Sequence, residues 1–184
     1  MQQFTKREIK ASMIRLLQSM PIDNIKVKTI IDDCGISRNT FYYHYSDIYD
    51  VLKEIFDEIL RKVLETDANN FNWEEAFQKV ANSALINRNV IYNIFSSRYF
   101  ENIKAYVDNA IGNIIAEKMR EQCILKNQSI NEDDIRIIST FYKHAVNGTF
   151  VEWIHNGMKT DPKVFIEKIG KLFPKDIENS IDLI

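Results

Sequence analysis

The sequence predicts an all-α protein, and three observations carry that prediction. Only five glycines and three prolines punctuate 184 residues, too few to turn a many-stranded β fold. Apolar residues recur at i, i+3 and i+4 spacing along nearly the whole chain, as on the buried stripe of amphipathic helices. The breaks in that spacing carry helix-capping chemistry: Ser37, Asn131 and Asp161 stand just before helical stretches, and Gly35 and Gly157 stand just after them.

In chain order, the first helix is expected to start at Thr5. Thr5 and Glu8 match a capping box, and Phe4 and Ile9 sit where a hydrophobic staple would close. Ile9, Met13, Leu16, Leu17 and Met20 then form one stripe, ended by Pro21. A short second helix runs over about 27–34 and stops at Gly35. The third, about 38–45, is capped by Ser37. A cap at Ser46 or Asp47 opens a longer fourth helix to about Leu64, with Tyr49, Leu52, Ile55, Phe56, Ile59 and Leu60 on its apolar face. The pattern lapses over 69–72, which reads as a hinge. Further helices are expected over about 73–87, 90–97, 99–122, 132–156 and 162–172, with Pro162 at a first helical position and a loose tail from 176 to 184. The chain thus divides into a head (1–46), a connecting fourth helix (47–68) and a helical body (69–184).

The totals exclude several functions. With 45% hydrophobic and 27% charged residues the composition is globular. No uninterrupted apolar run reaches membrane-spanning length, and the opening MQQFTKREIK lacks a secretion signal, so a cytoplasmic protein with no membrane contact is expected. Cys34 and Cys123 have no partner at metal-ligand spacing and read as free thiols. His44, His144 and His155 form no His-Glu-x-x-His pattern, and neither a glycine-rich phosphate loop nor a nucleophile elbow is present. The expectation is a protein that is not an enzyme and needs no cofactor or metal. Charge is unevenly spread: residues 1–45 carry seven cations against four carboxylates, a net +3 against −5 for the remainder. A mildly basic head on an acidic body suits a protein that offers one end to a polyanion.

That head contains GISRNTFYYHYSDIYDVL, residues 35–52. Two short helices joined by a glycine-containing turn are the helix-turn-helix pattern, whose second helix enters the major groove of DNA. On the helical wheel Ile36, Phe41 and Tyr45 fall toward the core. Asn39, Tyr42 and Tyr43 are left outward, flanked by Arg38, Thr40 and His44, all suited to phosphate, base-edge or groove-wall contact.

Residues 26–52, KVKTIIDDCGISRNTFYYHYSDIYDVL, resemble the DNA-binding signature of the TetR/AcrR family of bacterial transcriptional regulators. Ile30, Gly35, Ile36, Ser37, Thr40, Phe41, Tyr42, His44, Tyr45 and Leu52 stand in register with it. The resemblance covers about residues 5–60; beyond that, Trp153, Gly157 and Pro162 look like the body of some members. It implies a TetR-like all-α fold with a C-terminal dimerisation and effector domain, acting as a homodimeric regulator, most often a repressor, on a palindromic double-stranded DNA operator. It places Thr40, Tyr42 and His44 at phosphate-contacting or helix-supporting positions, and Arg38, Asn39 and Tyr43 at the variable positions that choose sequence. Lys28, near the start of the second helix, could reach a phosphate.

Three departures stand out. Lys26 replaces the usual Thr cap, Ile31 a small Ala, and Ile48 the lysine that opens the fourth helix. Losing that lysine should lower the salt slope of binding by about one unit unless Lys53 or Lys6 substitutes. In the body, Tyr92, Phe95, Tyr99, Phe100, Tyr106, Phe141, Tyr142, Phe150 and Trp153 suggest an aromatic interior in which the resemblance implies a small-molecule effector site, its residues unassigned. Ala145, Gly148 and Thr149 on one helix, with Phe165, Ile166, Ile169 and Leu172 on the next, suggest a two-helix face that symmetry doubles into a four-helix dimer interface. The rival reading is a co-regulator that works through a protein partner with little DNA affinity of its own.

Overall fold

The computed structural model describes residues 2–64, 73–129 and 131–172. Among them lie nine α-helices and no strand: α1 (Gln2–Ser19), α2 (Val27–Cys34), α3 (Arg38–His44), α4 (Ile48–Leu64), α5 (Trp73–Ile86), α6 (Arg88–Phe95), α7 (Phe100–Leu125), α8 (Glu132–His155) and α9 (Pro162–Leu172). The proposed hinge at 69–72 and the tail from 176 lie outside the described residues. The chain forms two compact units, Met1–Arg61 with Ile86–Lys104, and Lys62–Leu85 with Ala105–Ile184.

The first unit is built on α1. Ile9, Met13 and Leu17 are fully buried, as the stripe predicts, and so are Ile22, Ile30, Phe41, Val51 and Leu52. Each fully buried aliphatic or aromatic side chain contributes about 1.5–3 kcal/mol relative to exposure. The start of α1 differs from expectation. The helix is already formed at Gln2, so Thr5 lies inside it rather than at a cap. Phe4 is exposed, its ring 5.4 Å from the Arg7 guanidinium, while Ile9 is buried, so the staple does not form.

This unit also takes in a segment from much later in the chain. α6 packs along α1, and Asn93 Nδ2 donates to the Leu17 carbonyl at 2.8 Å, satisfying one of the last-turn carbonyls that a helix leaves open. Arg98 lies 3.2 Å from the Asp23 carboxylate, and Tyr99 stacks 6.2 Å from Tyr49 at a tilted angle.

The second unit is organised by the α7–α8 hairpin. Ile115, Met119, Cys123 and Ile135 form a buried cluster, lined by Ile111, Ala116, Ile138 and Tyr142. The helices approach closely at Gly112, where a Cβ would stand 3.0 Å from Lys143 Cδ. Asn147 donates to Asp108, both buried. Phe150 packs edge-on against Phe77 at 5.9 Å and 5.6 Å from Trp153, whose indole N–H donates to the Thr160 carbonyl at 2.8 Å. Caps end the elements as the sequence predicts: Asn131 accepts from Asp133 N, Asp161 from Lys163 N, and Gly157 takes a φ of 80°. One expected interior ring is outside: Phe141 is 68% exposed. Its helical spacing is shared by the core stripe and the opposite face, and only packing distinguishes them.

Candidate DNA-binding face

The turn between α2 and α3 is set by two residues. Gly35 adopts φ +66°, ψ 31°, the left-handed conformation that costs glycine least, and the N–H groups of Gly35 and Ile36 both donate to the Ile31 carbonyl. Ser37 then opens α3, its Oγ accepting from Thr40 N at 3.0 Å and meeting Thr40 Oγ1 at 2.8 Å. Three residues thus suffice to reverse the chain and begin a new helix.

Phe41 and Tyr45 anchor α3. Both are buried, with ring centroids 6.0 Å apart, and Tyr45 closes the helix by donating its N–H to the Phe41 carbonyl at 3.0 Å. Because two inward side chains four residues apart fix the azimuth of a short helix, Arg38, Asn39, Tyr42 and Tyr43 are turned to solvent. Tyr43 is 70% exposed. Arg38 lies over the Tyr42 ring at 5.6 Å, with Nη2 3.5 Å from its hydroxyl, so the ring braces the guanidinium. Thr40 and His44 are half-buried; the His44 ring meets Tyr43 edge-on at 5.0 Å. Lys28 is exposed on α2.

The start of α4 is acidic. Asp47 accepts from the N–H groups of Tyr49 and Asp50 at 2.8 and 3.0 Å, and Asp50 accepts from Ser46 N. The Lys53 ammonium 2.6 Å away holds the Asp50 carboxyl below the usual carboxylate range. Lys6 is engaged by Glu54 at 2.7 Å. Lys6 and Lys53, the two cations expected to substitute for a lysine at Ile48, are therefore tied to carboxylates.

The predicted dimer residues are distributed unevenly. On α8, Ala145 and Gly148 are exposed and Thr149 is half-buried; a Cβ at Gly148 would meet nothing within 4 Å. Ile137 (59% exposed) and Phe141 continue this face, at positions one helical turn apart. Sequence reasoning did not gather these two into the face, because the same spacing describes a core stripe. On α9, Ile166 is already buried within the chain, whereas the side chains of Phe165, Ile169 and Leu172 lie outside the described residues. An open polar groove of about 390 Å³ runs between α7 and α8, with Asn113, Arg120, Arg136 and Lys143 among its lining. Among the described residues no cluster of three or more His, Cys, Asp or Glu could hold a metal ion, and no helix is long and apolar enough to cross a membrane.

Solved structures share this arrangement. A dihydroxyacetone kinase operon activator, DhaS, superposes with a TM-score of 0.68 at 18% identity, covering 98% of this chain and 97% of that one. A TetR transcriptional regulator from Streptococcus agalactiae 2603V gives 0.62 at 21%, covering 91% and 92%. NalD, the secondary repressor of the MexAB-OprM multidrug efflux pump in Pseudomonas aeruginosa, gives 0.59 at 15%, covering 93% and 95%. At these identities the likeness carries the fold alone. No curated protein matches the chain. Residues 71–175, over half of the sequence, match the family described as the transcriptional regulator C-terminal region of TetR type. An all-helical chain with this C-terminal region and a helix-turn-helix head belongs to the TetR family of transcriptional regulators.

Proposed function

We propose that this chain binds a palindromic operator in double-stranded DNA as a homodimer, represses transcription by occupying it, and is released by a small-molecule effector bound in the body. The observation that carries the reading is the face of α3. Phe41 and Tyr45 are buried, while Arg38, Asn39, Tyr42 and Tyr43 project into solvent from a helix whose N-terminus is capped and whose azimuth is fixed. By direct-readout chemistry Arg38 addresses guanine and Asn39 adenine, each good contact contributing about 1–3 kcal/mol of discrimination. Thr40, Tyr42, His44 and Lys28 supply phosphate contacts or support the helix. Repression is carried over from the family resemblance. The head is the DNA-binding domain (1–46), 47–68 the connecting helix and 69–184 the dimerisation and effector domain.

Dimerisation is supported by the exposed apolar face of α8, Ile137, Phe141, Ala145 and Gly148, beside the half-buried Thr149; Phe165, Ile169 and Leu172 enter the interface as part of the proposal alone. Two recognition helices related by a two-fold axis would meet half-sites about 34–36 Å apart, one turn of the duplex. An effector that favours another separation by about 1–3 kcal/mol would release DNA.

Footprinting and gel shift on the protein's own upstream region, with operator selection from random DNA, test this. The expected result is a protected palindrome whose affinity falls steeply with salt, and a reporter gene that is silenced by the protein. A non-palindromic site, or no protection at any salt, would refute it.

A second reading has one observation in its favour: Ile48 stands where relatives carry a lysine, and both Lys6 and Lys53 are already held by Glu54 and Asp50. A head short of phosphate contacts suits a co-regulator that engages DNA only with a protein partner. Protection that appears only when a second regulator is added distinguishes it.

A further inference from the structure

We propose that Glu54 is a positioning residue that fixes the direction in which α4 leaves the head, and with it the pitch at which α3 meets a duplex. The inference deepens the DNA-binding reading above and rests on it for its second half.

Lys6 and Lys10 stand one turn apart on α1, and Glu54 and Glu58 one turn apart on α4. Each carboxylate oxygen of Glu54 is occupied: Oε2 accepts from Lys6 Nζ at 2.7 Å and Oε1 from Lys10 Nζ at 3.0 Å. Lys10 also donates to Glu58. The Lys6 ammonium lies 5.2 Å above the ring of Tyr45, the residue that closes α3 and packs on Phe41. One carboxylate therefore ties α1, α4 and, through Lys6, the end of the recognition helix. The site is partly enclosed, the side chain of Lys10 being 12% exposed and that of Glu54 25%. Burial would push the Glu54 carboxyl up, but the hydrogen bonds from Lys6 and Lys10 outweigh it and hold it below its usual value.

Besides the Lys10–Glu58 pair and the Tyr49–Tyr99 ring contact, α4 buries the apolar Val51, Leu52 and Ile55. Apolar contact is non-directional and tolerates small rotations and slides. A carboxylate gripped through both oxygens by ammoniums from two residues one turn apart on a helix restricts both. α4 continues as one helix past Arg61, where the compact head unit ends. A change of angle at Glu54 is thus carried along the remaining ten residues of the helix, a rod about 15 Å long.

The test uses the full-length protein and Glu54→Gln, which keeps size and removes charge, with Lys6→Met/Lys10→Met as the second variant should Glu54→Gln unfold. Operators with identical half-sites but separations changed by one base pair are titrated. Wild type should lose about tenfold in affinity per misplaced base pair, about 1.4 kcal/mol, whereas the variants should lose less than about threefold, with single half-site affinity and helix content unchanged. In parallel, spin labels at Asp32→Cys and Glu117→Cys, with Cys34 and Cys123 replaced by alanine and labelled chains diluted in unlabelled protein, report the distance between head and body without DNA. The variants should broaden that distribution. An unchanged spacing preference, or an unchanged distance distribution, overturns the proposal. Wild type that binds no duplex sinks the DNA reading, and the spin-label distances then decide the role of Glu54 alone.

Discussion

Replacing Phe141 by alanine separates a dimer face from a packed core. A buried phenylalanine contributes about 1.5–3 kcal/mol through burial. At 68% exposure, roughly two thirds of that remains to be gained when a partner covers the ring, about 1–2 kcal/mol. A two-fold interface uses the same ring twice, so Phe141→Ala should weaken the dimer by about 2–4 kcal/mol, a rise in dissociation constant of about 30- to 1000-fold. The helix content of the chain should not change, because the ring makes little of the interior. Sedimentation equilibrium over a range of concentrations reads the constant directly, and circular dichroism reads the fold. A dissociation constant within about threefold of wild type would refute the reasoning. So would wild type that sediments as a monomer at all concentrations.

Other substitutions address the head. Ser37→Ala removes the acceptor for Thr40 N and should cost about 1 kcal/mol, lowering the melting temperature by about 2–4 °C in a chain of this length; an unchanged melting temperature would mean the cap is replaced by water. Asn39→Ala should relax discrimination at one base position by about 1–3 kcal/mol with no change in salt slope, whereas Lys28→Ala should weaken all sequences alike and lower the slope by about one unit. Gel shifts on single-base operator variants at several salt concentrations separate the two, and equal effects from both would remove Asn39 from base readout. Acid should loosen the α1–α4 junction. The Glu54 carboxyl is held below its usual value, so its contribution is present above about pH 4.5 and is lost as pH falls through the lowered folded value. Thermal melts from pH 6 to about pH 3 should show a drop in that lower range that is smaller in Glu54→Gln; an equal drop in both would place the acid sensitivity elsewhere.

Much of this protein is local, and local features are legible in a sequence. Gly35 and Ser37 set the turn into α3 by backbone conformation and a cap two residues apart, so the range of α2 and the start of α3 follow without tertiary contact. Phe41 and Tyr45 read as inward because a seven-residue helix has room for one buried face, and Arg38, Asn39, Tyr42 and Tyr43 read as outward for the same reason. Pattern could not decide which of two similar stripes is buried. Ile137 and Phe141 sit at the spacing of a core helix and are exposed, because Ile135, Ser139 and Asn147 occupy the buried side of α8. Nor could it foresee pairings between distant residues. Asn93 reaching the Leu17 carbonyl, and Glu54 gripping Lys6 and Lys10, join side chains 76, 48 and 44 positions apart. Periodicity and caps act within one or two turns of chain, so the sequence alone determined the helices, the capped ends at Gly35, Ser37, Asn131, Gly157 and Asp161, and the turn that presents α3, but not the start of α1. Long-range packing decided which faces stay exposed, which lysines are spent on carboxylates, and that α6 returns to lie along α1.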